Sequence, residues 1–173
     1  PSRDSHAAAY YDWGSELETE WKENYKLWMT FINEYKNRGG RVTAGSDSGY
    51  MYNLYGFGFV QELELLREAG FHPMEVIRAG TLHAAEAIGM EDKIGTVEVG
   101  KLADLILMDE NPLKNLKYLY ATGDIKLDEE NDVVRVGGVE KTIKDGIVYD
   151  ARLLLEDVKN TVDEEKSKTP DWK

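Results

Sequence analysis

Apolar residues recur at helical spacing up to about Glu91 and at strand spacing after it, a change of period that excludes both an all-helical and an all-β chain. From Ser15, "SELETEWKENYKLWMTFINEYKNRGG" sets Leu17, Trp21, Tyr25, Trp28, Ile32 and Tyr35 on one helical face. Ser15 and Glu18 have capping-box spacing, and Gly39-Gly40 is a stop. The run Val42 to Ala44 is long enough for one short buried strand. "FVQELELLREAG" then predicts a helix with Phe59, Leu63 and Leu66 inward, ended by Gly70, and "HPMEVIRAGTLHAAEAIG" predicts another from Pro73 to Gly89.

Beyond Glu91, "IGTVEVGKLADLILMDENP" reads as two strands with turns at Val99-Gly100-Lys101 and Glu110-Asn111-Pro112. "VVRVGGVEKTIKDGIVYD" continues the sheet, and Asp145-Gly146 between apolar pairs predicts a two-residue hairpin. "ARLLLEDVKNTVDEEKSKTPDWK" predicts a closing helix through Leu154, Val158 and Val162 that dissolves into a charged tail. Three parts follow: 1–90 mostly helical around one strand, 91–150 a small sheet, and 151–173 the helix and tail.

Charge and composition narrow the partners. A net charge of −12 excludes nucleic-acid and anionic-membrane partners, which need a basic patch to displace counterions. No run reaches the roughly 18 apolar residues of a membrane span, and the opening "PSRDSHAAAYYDW" has neither a basic nor an apolar leader region, so the chain reads as soluble without a compartment signal. That opening also lacks an initiator methionine and a capped element, and reads as cut from something longer. With 42% hydrophobic residues in 173 there is material for a core, and the absence of cysteine removes disulfides, thiolate nucleophiles and cysteine metal sites.

The chemistry concentrates at "RVTAGSDSGY", Arg41 to Tyr50. Asp47 follows the predicted strand inside a glycine-flanked turn, where parallel α/β folds collect their reactive groups. The alternative is that Asp47 caps the turn or the next helix. Ser46 and Ser48 flank it, but an acidic centre is not the G-x-S-x-G nucleophile elbow. Tyr50, Tyr52 and Tyr55 are either an aromatic wall beside Asp47 or plain packing. "YGFGF" lacks the phosphate-binding glycine patterns and is a flexible loop. His6, His72 and His83 have no H-x-H or H-E-x-x-H spacing: His72 precedes Pro73 as a helix-start residue, His83 is a packed or hydrogen-bonded helix residue, and His6 lies in the irregular opening.

Three blocks, "VTAGSDSG", "QELELLREAGFHPMEVIRAGTLHAAEAIGMEDKIGTVEVGKLADLILMDENPLKNL" and "TIKDGIVYDA", resemble in order the C-terminal part of the amidohydrolase superfamily, in its imidazolonepropionase-like and prolidase-like branch. The resemblance covers about Gly39 to Ala151, and "IGTVEVGKLADLILMDENPL" is its most specific piece. It implies an α/β fold, the last part of a (β/α)8 TIM barrel with the C-terminal strands of a small β-sandwich: Val42 to Asp47 as the eighth barrel strand, Ile94 to Met108 and Lys141 to Tyr149 as sandwich strands. It implies a divalent metal, zinc first, touched by Asp47, which also moves the proton in hydrolysis of an amide or other C–N bond. Ser48 and Tyr50 are the candidate substrate contacts. The family's H-x-H, its lysine and its other barrel histidines have no counterpart in this chain, and Gln61 stands where many relatives carry histidine. The remaining metal ligands are therefore expected on the missing N-terminal part of the same protein, with a small amide-type substrate as partner. The chain alone is then inactive and possible homo-oligomers arise from uncovered apolar edges. The competing reading is a non-catalytic α+β binding or scaffolding module without a metal site.

Overall fold

A computed structural model describes residues 14–49 and 53–168. Helix α1, Ser15–Asn37, begins on Gly14, whose carbonyl accepts the Glu18 N–H at 3.0 Å. The expected capping box is therefore not formed: Ser15 is already helical, and the Glu18 carboxylate instead pairs with Lys22 one turn on. The helix stops as expected, with Gly39 at φ 87 and the Gly39 and Gly40 N–H groups turned back onto the Lys36 and Tyr35 carbonyls.

Helix α2, Phe57–Glu68, leads through Gly70 to α3, Pro73–Gly80, and α4, Leu82–Ala87. The single helix expected from Pro73 to Gly89 is thus broken at Thr81, at φ −128 and ψ −87. Gly80 closes on Phe59 and Leu63 of α2, where an added Cβ would lie 3.1 and 3.2 Å from them, and the Thr81 hydroxyl donates to the Ile77 carbonyl. A flexible glycine followed by a side chain that competes for backbone acceptors is where a helix gives way. At the other end of α3, the Glu75 carboxylate accepts the His72 N–H at 2.7 Å and Lys36 of α1 at 2.8 Å, so His72 starts the helix as read. Both contacts, Lys36 first, hold the Glu75 carboxyl below its ordinary range.

The core is Leu63, Leu66, Ala69, Phe71, Val76, Ala79 and Leu116, flanked by Met29, Ile32, Val42 and Ala44. Burying a side chain such as Leu63 or Phe71 contributes about 1.5–3 kcal/mol. Val42 and Ala44 enter this core, yet the residues 41–47 form no strand. They are extended, with Ala44 N–H donating to the Ala79 carbonyl at 3.2 Å, and no described strand lies beside them to complete a ladder.

The second half carries two antiparallel sheets. β1, Leu105–Leu107, pairs with β4, Lys141–Lys144, which pairs with β5, Ile147–Asp150; β2, Asp124–Leu127, pairs with β3, Val133–Val136. The hairpin at Asp145-Gly146 forms as read, both residues at positive φ, 50 and 79. The strand expected before Val99 does not. Val97 and Val99 are exposed, and the Lys101 amine curls the loop by bonding the Glu91 carbonyl at 2.6 Å and Thr96 Oγ1 at 2.5 Å. A 3-10 turn, Leu116–Leu119, brings Leu116 into the helical core, and Tyr120 beyond it donates to Glu64 of α2 at 2.8 Å. Helix α5, Ala151–Lys168, starts where Asp150 Oδ1 accepts the Arg152 and Leu153 N–H groups. It forms as expected but closes nothing: Leu154, Val158 and Val162 stay exposed. The charged stretch after Val162, expected to fray, is helical as far as Lys168, and the residues beyond it lie outside the described ones.

Candidate active-site loop

Extended residues 41–46 are fixed from the helical side at three points. Arg41 pairs with Glu86 at 2.8 Å, the Val42 carbonyl meets His83 Nδ1 at 3.3 Å, and Ala44 bonds Ala79. His83 is thus the hydrogen-bonded helix residue its setting predicts, spent on backbone. Asp47 comes next, at φ 45, a left-handed conformation that Asp tolerates better than most residues. Its side chain is exposed, and no described residue donates to its carboxylate, so it caps neither this turn nor α2, whose N-cap is Gly56.

Ser46 and Ser48 do not serve that carboxylate. Their hydroxyls share a hydrogen bond of 2.7 Å, and Ser48 Oγ reaches the Leu54 carbonyl at 3.4 Å. Asn53 closes the loop: its side-chain amide donates to the Ser46 carbonyl, and its own carbonyl accepts the Gly49 N–H at 2.8 Å. Gly49, at φ 98, leaves room for the Tyr55 ring; an added Cβ would run into its hydroxyl. Tyr55 is otherwise 79% exposed, so it does not pack into the core. Gln61 is exposed on α2. Tyr50, Tyr52 and His6 lie outside the described residues. Sequence reasoning missed Asn53 and Gly58; the only local signal was an Asn ahead of two glycines in "NLYGFG".

As a metal site the described residues fall short. Among them no three His, Asp or Glu side chains come together, and Asp47 is one carboxylate where a catalytic zinc takes about three protein ligands.

Residues 28–148 match the amidohydrolase family. The chain belongs to that family. Its relatives include a 5'-deoxyadenosine deaminase of Methanobrevibacter smithii, 36% identical over 110 residues, 62% of this chain and 23% of the relative. An imidazolonepropionase of Shouchella clausii is 38% identical over 104 residues, covering 58% of this chain and 20% of the relative. Among solved structures, a Xaa-Pro dipeptidase with methionine bound in its active site superposes with a TM-score of 0.52 at 28% identity, over 70% of this chain and 25% of that one. The imidazolonepropionase-like and prolidase-like branch read from the sequence is therefore right. This amidohydrolase chain spans about a quarter or less of the length of these relatives. Amidohydrolases generally use a divalent metal, and among the described residues no helix is long and apolar enough to cross a membrane.

Proposed function

We propose that this amidohydrolase segment supplies the proton-carrying carboxylate, Asp47, to an enzyme that hydrolyses an amide or other C–N bond of a small molecule. One observation carries the reading: the carboxylate ends a core-anchored segment on a left-handed turn whose internal hydrogen bonds, among the described residues, leave its oxygens unspent. The exposed Asp47 carboxylate takes a proton from the attacking water as the water oxygen bonds the substrate carbon. It returns the proton to the nitrogen as the C–N bond breaks, so the carboxylate is regenerated each turnover. Ser48 and, by its place in the sequence alone, Tyr50 remain the candidate substrate contacts. A divalent metal, zinc in this reading, would supply the acidity of that water. Asp47 alone does not hold one, so its other ligands come with the rest of the barrel, on polypeptide outside the described residues.

The names of the relatives define the substrates to try: imidazolonepropionate, 5'-deoxyadenosine and Xaa-Pro dipeptides. In the full polypeptide, Asp47→Asn is expected to lower kcat at least about 100-fold on the substrate that is turned over, with KM changed only a few-fold. Wild-type turnover by that variant would overturn the reading and favour the binding module.

A further inference from the structure

We infer that Asn53 is a positioning residue: its side-chain amide locks the turn that carries Asp47. The inference rests on the catalytic reading of Asp47 for its effect on rate, but the lock itself is visible in the loop. Asn53 holds both flanks of Asp47 at once, the Ser46 carbonyl through its side-chain N–H and the Gly49 N–H through its main-chain carbonyl. The Ser46 carbonyl can only accept, so the amide nitrogen must face it, and this turns Oδ1 inward, where it is buried with no hydrogen-bond partner among the described residues. Leaving an amide oxygen buried and unpaired is unfavourable, and it persists where the other end of the group is required.

Gly58 supplies the space. It lies in the first turn of α2 with no positive φ, so its backbone does not need glycine. Its surroundings do: an added Cβ would sit 1.9 Å from Asn53 Oδ1 and 2.8 Å from Ser48 Oγ. The Gly58 N–H also donates to the Leu54 carbonyl at 2.9 Å, the same oxygen that Ser48 reaches. Asn53 is thereby wedged between the Asp47 turn and a helix whose Leu63 and Leu66 are in the core. The core sets the helix, the helix sets Asn53, and Asn53 sets the carboxylate.

Three variants of the full polypeptide test this: Asn53→Ala, the near-isosteric Asn53→Asp that keeps the shape but loses the N–H donor, and Gly58→Ala. Each is expected to speed amide hydrogen exchange at Gly49 by about tenfold or more while leaving the Val76 amide in α3 unchanged. Each is expected to lower kcat about 10- to 100-fold with KM within about twofold, since misplacing a reacting group by about an ångström costs that much. In the Asn53→Ala background, Gly58→Ala should cost less than it does alone, because the Oδ1 it strikes is gone. Wild-type kcat and Gly49 exchange in Asn53→Asp would show that only shape matters and would overturn the inference, as would kcat falling only in step with the melting temperature. If Asp47→Asn proves fully active, the catalytic reading falls and the rate effect with it, while Gly49 exchange still decides whether Asn53 locks the turn.

Discussion

At the scale of single residues, the acid and the amide of the candidate site differ in how they could be read. Asp47 could be singled out as a candidate because its signal is local: a carboxylate between glycines at the end of a short apolar run. Asn53 was not, because its role depends on a hydrogen bond to Ser46 across seven positions and on a space beside Gly58 that only folding creates. Asp104 is a third residue of this kind. Its carboxylate joins β1 to the β4–β5 hairpin by accepting the Lys144 amine and, at 2.8 Å, the Asp145 N–H. The Lys144 contact first, then the Asp145 N–H, holds its carboxyl below the ordinary 3.8. A carboxyl depressed in the folded state contributes stability that is complete above the unfolded value and is lost as pH falls through the folded one. Asp104→Asn is therefore expected to melt lower than the wild type at neutral pH, with the gap closing as pH falls through the acid range. Parallel curves for the two proteins would show that Asp104 does not link the strands.

At the scale of elements, helices with a strong period and the Asp145-Gly146 hairpin were legible because spacing and turn chemistry decide them nearly alone. What failed needed knowledge of neighbours. Residues 42–44 have the composition of a strand but no described partner, Thr81 breaks a helix because Gly80 packs on α2, and Lys101 turns the alternating residues before it into a loop. The apolar stripe of α1 shows the same limit. Of the face read from the sequence only Ile32 packs on the core, beside Met29, which that face left out, while Trp28 and, one turn on, Phe31 are 62% and 58% exposed and meet edge-on, ring centres 6.0 Å apart. Replacing both with alanine should change stability by less than about 1 kcal/mol, because exposed side chains contribute little, and should clearly reduce binding of an apolar dye such as ANS. A loss of several kcal/mol, or undiminished dye binding, would show that the stripe is packed in solution.

At the scale of the whole molecule, the helical half and the small sheets are joined through Leu116 in the core and Tyr120 on Glu64. Together they present Asp47, the proton carrier proposed above, and, among the described residues, no metal-ligating cluster. This chain spans about a quarter or less of the relatives it matches, and under the proposed function its acid works in a centre completed elsewhere. Elemental analysis of metal per chain, on this chain and on the full polypeptide purified without added metal, addresses the claim directly. A value near zero is expected for this chain and about one or two equivalents for the full polypeptide. A full equivalent bound by this chain alone would contradict it, since the site would then be made from residues the present assignment leaves out.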